Sequence, residues 1–121
     1  MKVPLHAIAN GRAGDKGDTS NISVIAYDAA GWSAIREQVS EARVLQAFRP
    51  LGASRVTRHE LPRLQALNFV VETALDGGVN RSLGVDRHGK TLSFLLLGEI
   101  EVEVDEAVLP AHSPYRTEEN R

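Results

Sequence analysis

Apolar residues in this chain fall into short runs separated by polar connections, and their spacing predicts alternating strands and helices. Val3 to Ala9 reads as a first strand, with Pro4 tolerable near its start. Ile22 to Tyr27 reads as a second strand, the expected partner of the first, and Asp28 to Gly31 as a turn. Trp32, Ile35 and Val39 have the spacing of a short helix. Ser40 is a candidate N-cap for a further helical stretch through Val44, Leu45 and Phe48, ending before Pro50. The two stretches read equally well as one kinked helix. Ser54 to Leu61 is a third strand, polar on one side and therefore expected near a sheet edge.

Pro62 then opens the longest helical pattern, through Leu75, with Leu64, Leu67, Val71, Ala74 and Leu75 on one face. Asn68 falls inside that face, where an amide needs partners, either a neighbouring backbone or a ligand. Asp76-Gly77-Gly78 is the expected stop. Val79 to Asp86 alternates as a strand whose small polar side carries Asn80, Ser82 and Asp86, and Arg87 to Gly89 is a turn. Lys90 to Leu97 fits a short helix stopped by Gly98 or a hairpin strand, and helix is the reading taken. Glu99 to Val104 alternates strictly, which predicts a strand with its glutamates outward. The order predicts an α+β two-layer sandwich over residues 1–104 with a mixed or antiparallel sheet, followed by a loosely ordered tail over 105–121.

Composition narrows the functional classes. A chain of 121 residues is one domain. A formal net charge of −2 without a basic block argues against nucleic acid as a partner. With no cysteine, disulfides, thiolate metal sites and cysteine nucleophiles are excluded. No apolar run approaches the roughly 20 residues of a membrane span, and Met1 to His6 has no signal-peptide core, so a cytoplasmic protein away from membranes is expected.

The stretch Asn10 to Asn21 carries the densest chemistry. It holds three glycines, two aspartates, a lysine and an arginine, and it reads as a long polar loop between the first two strands. Glycines there can expose N–H groups to an anion, or simply turn the chain. The spacing matches neither a Walker A loop nor a dinucleotide fingerprint. The four histidines show no metal-ligand spacing, and Arg49, Arg55 and Arg58 read as a solvated basic face.

Two blocks resemble a known family. They are Arg12 to Ile22, and Leu61-Pro62 followed by Ala66 to Phe69, Leu75 to Val79, Ser82-Leu83, Asp86 and Gly89-Lys90. This pattern resembles the AtuA-like domain, the C-terminal ferredoxin-like module of acyclic terpene utilisation proteins, which also occurs as short proteins made of that module alone. The resemblance covers roughly residues 5 to 100. It implies a ferredoxin-like fold and a bacterial setting near acyl-CoA and branched or terpenoid carbon catabolism, without a reaction. The long relatives' larger N-terminal portion has no counterpart here, so a shared site would need a second chain. The matching residues are Arg12, Asp15, Lys16, Asp18, Thr19, Asn21, Asn68, Ser82, Asp86 and Lys90.

Three readings follow. The preferred one is a non-catalytic module that forms homo-oligomers or docks on a larger AtuA-type partner, with the Gly-rich loop facing ligand or partner. The second is an enzyme or half-enzyme of hydratase, isomerase or lyase type acting on a carboxylate or CoA thioester. There Asp15 or Asp18 would be general base, Lys16 or Arg12 would hold the anion, and Thr19, Asn21, Asn68, Ser82, Asp86 and Lys90 would line the ligand. The third, an oxygen metal site of Asp15, Asp18 and Asp86, rests on a spacing too common to carry weight. No cofactor is expected.

Overall fold

Two antiparallel sheets, one small and one large, organise the computed structural model, which describes residues 1–16, 19–73 and 90–116. The small sheet pairs β1 (Lys2–Pro4) with β6 (Glu101–Glu103). The large sheet has the order β2-β3-β5-β4, formed by β2 (Ala9–Lys16), β3 (Thr19–Ala26), β4 (Ala53–Leu61) and β5 (Ala66–Thr73). Helices α1 (Ala29–Gln38) and α2 (Glu41–Phe48) connect β3 to β4, and α3 (Lys90–Glu99) precedes β6. Because β3 and β4 are each antiparallel to β5, they run parallel to each other with β5 between them. That is the split βαβ arrangement, joined by a helical crossover.

The expected α+β two-layer sandwich is therefore present, with every pairing among the described residues antiparallel, but several elements differ from the reading of the sequence. Val3 to Ala9 is not one strand. It is β1 followed by a 3-10 turn at Leu5–Ala7, and β1 pairs with β6 rather than with β3. The polar stretch after Ala9 is not a long loop. It forms β2 and the start of β3, in register from Ala9↔Ala26 to Lys16↔Thr19. Gly11 explains part of this. A Cβ there would lie 3.2 Å from Leu97 Cδ1 and 3.4 Å from Ser93 Cβ, so its lack of a side chain lets α3 approach β2. Low strand propensity thus marks a close helix–sheet contact.

The helix expected from Pro62 to Leu75 is also replaced. A 3-10 turn at Pro62–Leu64 is stopped by Gln65, whose φ of 52° lies in the left-handed region, and β5 begins at Ala66. Leu67, Phe69 and Val71 satisfy a period of two as well as Leu64, Leu67 and Val71 satisfy a helical one. Pairing with both β3 and β4 decides between them. Asp28, expected within a turn, is the N-cap of α1, its carboxylate accepting from Gly31 N–H at 2.8 Å. Ser40 caps α2 through Arg43 N–H at 3.2 Å, so the two helical stretches are separate. Helix is correct for Lys90 onward, although α3 runs one residue past Gly98. The strand expected over 79–86 lies outside the described residues.

The three described helices lie on one side of the large sheet. Ile35 of α1, Val44 and Phe48 of α2 and Leu96 and Leu97 of α3 close on Ile22, Val24, Val56, Leu67, Phe69 and Val71. The chain after Val104, expected to be loose, adds to this body through Arg116. Leu109 is buried, and Arg116 Nη2 and Nε donate to the carbonyls of Leu109 and Pro110 at 2.6 and 2.9 Å.

Arg58 is not part of a solvated basic face. Its guanidinium donates to the carbonyls of Val39 (3.0 Å) and Arg36 (2.8 Å) and to Glu60 Oε2 (3.0 Å), while its N–H donates to Glu41 Oε2 (2.7 Å). It ties edge strand β4 to the end of α1, where carbonyls lack helical partners. Arg58→Ala is expected to cost about 2 kcal/mol, since charged hydrogen bonds contribute more than neutral ones. Chemical denaturation reads this directly, and a loss within experimental error would show that water replaces the guanidinium.

Candidate functional site

The side of the large sheet that faces away from the helices is set by the strand register. Arg12, Ser23, Asn68 and His59 occupy one row across all four strands. Gly14, Asn21, Val70 and Thr57 form the row on one side of it, followed by Lys16, Thr19, Glu72 and Arg55. Asn10, Ile25, Ala66 and Leu61 form the row on the other side. Alternation along each strand sends the intervening residues, such as Ile22, Val24, Leu67 and Phe69, into the core beneath the helices. Ala66 is buried yet stands outside that core cluster, in keeping with its place on the opposite face.

At the centre of this face Asn68 Nδ2 donates to Ser23 Oγ at 3.0 Å and to Asn21 Oδ1. Both amide protons of Asn68 are thus engaged, and the Asn21 amide is turned by the bond it accepts. Asn21 Nδ2 therefore keeps its donors for the outside, with no acceptor for them among the described residues. Asn68 is half-buried while Asn21 and Arg12 are exposed. Arg12 has neither a carboxylate nor another bonded partner among the described residues. Arg55, two rows away, is paired with Glu72 at 3.7 Å.

Of the residues singled out in the sequence, Arg12, Thr19, Asn21 and Asn68 are brought onto one face. Asn68 reaches it from a strand, not from the start of a helix as expected. Asp15 and Lys16 end β2, opposite Ser20 and Thr19. Lys90 opens α3, in the helical layer, so it is not gathered with the others. Asp18, Ser82 and Asp86 lie outside the described residues. Among the described residues, no group of three or more His, Asp or Glu side chains is arranged to hold a metal ion.

Ser23, Gly14 and His59 share this face and were missed. The signal for His59 was present in the polar alternation Arg55, Thr57, His59 along the edge strand. Ser23 and Gly14 had no signal until the register was known.

A family model described as the AtuA ferredoxin-like domain matches residues 3–103. The chain belongs to this family. The match spans both described sheets and the three described helices, so every row of the open face falls within the AtuA ferredoxin-like domain. No curated protein and no solved structure matches the chain. Among the described residues, no helix is long and apolar enough to cross a membrane.

Replacing Asn68 separates support from recognition. Asn68→Ala is expected to lower stability by about 1 kcal/mol, because the amide is half-buried and water can reach its former partners. In a double-mutant cycle with Asn21→Ala, a coupling of roughly 0.5–1 kcal/mol is expected. Additive losses would show that the two amides do not act as a unit.

Proposed function

We propose that this AtuA ferredoxin-like domain is a small accessory or subunit module linked to acyl-CoA and branched or terpenoid carbon catabolism, and that its open sheet face meets ligand or partner. The observation that supports this most is the gathering of Arg12, Thr19, Asn21 and Asn68, residues of two separate sequence blocks, on the face the described helices leave uncovered. A flat sheet face encloses nothing by itself. Its cover would come from a second copy or from a larger AtuA-type chain, which fits a module better than a self-contained enzyme.

Affinity purification of the tagged chain from its native host, read by intact-complex mass, tests this reading. A stoichiometric larger chain is expected. Recovery of copies of this chain alone would overturn the partner-subunit role and leave a homo-oligomer. If the purified chain turns over a CoA thioester, and Asp15→Asn or Asp18→Asn abolishes that turnover, the half-enzyme reading replaces it, with those aspartates as general base.

A further inference from the structure

The turn between β4 and β5 carries an apolar patch that the described residues leave uncovered. Leu64 is 66% and Leu61 38% exposed, and with Pro62 they line a hollow of about 610 Å³ flanked by Glu60 and Arg63. Tyr27, 57% exposed, follows Ala26, whose N–H donates to the Gln65 carbonyl at 2.9 Å, so it stands beside the same turn. Three of the four exposed large apolar side chains among the described residues therefore gather at one end of the large sheet. Single exposed leucines need no explanation, whereas a contiguous patch marks a contact surface. The patch lies at the opposite end of the strands from Lys16, Thr19 and Thr73.

The turn is also held in shape. Pro62 fixes its first position, Gln65 N–H donates to the Pro62 carbonyl at 3.1 Å, and Ala26 N–H occupies the Gln65 carbonyl. A surface preorganised in this way loses little freedom on binding. Its charges form an unjoined pair. Glu60 accepts from Arg58 through Oε2 at 3.0 Å and keeps Oε1 without a partner among the described residues. Arg63 has no bonded partner among them either. An acid, an apolar hollow, a base and a protruding leucine thus lie within the five residues Glu60 to Leu64.

We propose that this turn is a contact between two copies of the chain. A two-fold axis places the same surface on both sides, so each residue must find its mate within the patch itself. Leu64 of one protomer enters the hollow beside Leu61 and Pro62 of its partner, and Arg63 of each pairs with Glu60 of the other. An unrelated chain would have to supply knob, hollow, acid and base in matching order, whereas a second copy already has them. Glu60 to Leu64 with Tyr27 are far fewer than the roughly 20–30 residues a side of a standard interface, so the dimer is weak and concentration-dependent. The contact is separate from the open sheet face, and neither reading depends on the other.

Analytical ultracentrifugation of the full chain from ~10 μM to ~1 mM tests this. The wild type is expected to pass from monomer to dimer across that range. Leu64→Glu is expected to fold normally, since Leu64 is exposed, and to weaken dimerisation roughly tenfold or more. Arg63→Glu and Glu60→Lys each set like charges against one another at both contacts, so each alone is expected to stay monomeric. Mixed in equal amounts, the two restore both pairs and are expected to form a mixed dimer. Far-UV circular dichroism checks that each variant is folded. Glu60→Lys also loses the Arg58 ion pair, and if it does not fold Leu64→Glu decides alone. A wild type that stays monomeric at ~1 mM overturns the proposal. So does a dimer that Leu64→Glu leaves intact, or a mixture of the two folded charge variants that does not associate. A larger chain that copurifies with the wild type and is lost with Leu64→Glu assigns the patch to that chain and overturns the second copy.

Discussion

Phe69→Ala is expected to destabilise the protein by about 4 kcal/mol, the largest effect of any single truncation considered. Phe69 is fully buried on β5, the strand that pairs with both β3 and β4, and its ring lies beneath the helices. Truncation removes the transfer free energy of the ring and leaves a cavity that the two neighbouring strands and a helical layer cannot all collapse to fill. Against a typical domain stability of about 5–15 kcal/mol, that loss brings the protein close to unfolding at ambient temperature. Urea denaturation should show a lower midpoint with little change in slope. A loss under about 1 kcal/mol would mean that this part of the core is far less enclosed than the structure shows.

Gly11→Val is expected to cost about 2–3 kcal/mol, whereas Gly14→Val on the same strand costs nothing. The two glycines are three residues apart and therefore face opposite sides of β2. At Gly11 a Cβ alone would stand 3.2 Å from Leu97 Cδ1 and 3.4 Å from both Ser93 Cβ and the Ser23 carbonyl oxygen. Valine's further methyl groups would have to push α3 away from the sheet. At Gly14 the same side chain enters open space. Thermal denaturation of the two variants side by side checks the contrast. Equal losses would show that β2 is paired in a different register, since a slip of one residue exchanges the faces.

That exchange of faces explains why the candidate site was only partly legible. Arg12, Thr19, Asn21 and Asn68 were marked by residue type and by their blocks, but a polar stretch of glycines and aspartates does not announce a strand pair. Gly11 and Gly14 look alike in one dimension. Only the position of α3 makes one a packing requirement and the other a gap. Arg58 has a similar history. Among Arg49 and Arg55 it reads as one more surface charge, and its role depends on where α1 ends in space.

By itself the sequence determined the local features whose causes are local. Ser40 caps a helix because its hydroxyl reaches an N–H three residues on, and Pro50 lies just past that helix. Glu101 and Glu103 face water around buried Val102 because alternation needs no partner to be read. The two-layer class follows from the succession of such elements, and the two sequence blocks determined the family. The tertiary structure alone decided whether residues 66–73 became helix or strand. Leu67, Phe69 and Val71 satisfy a period of two as well as Leu64, Leu67 and Val71 satisfy a helical one, and the pairing with β3 that chooses between them is made to residues 41–53 positions away in the chain, from Ala66↔Ile25 to Glu72↔Thr19, beyond the reach of any local pattern. It also decided which polar residues share a face, because that depends on register, a property of two strands and never of one.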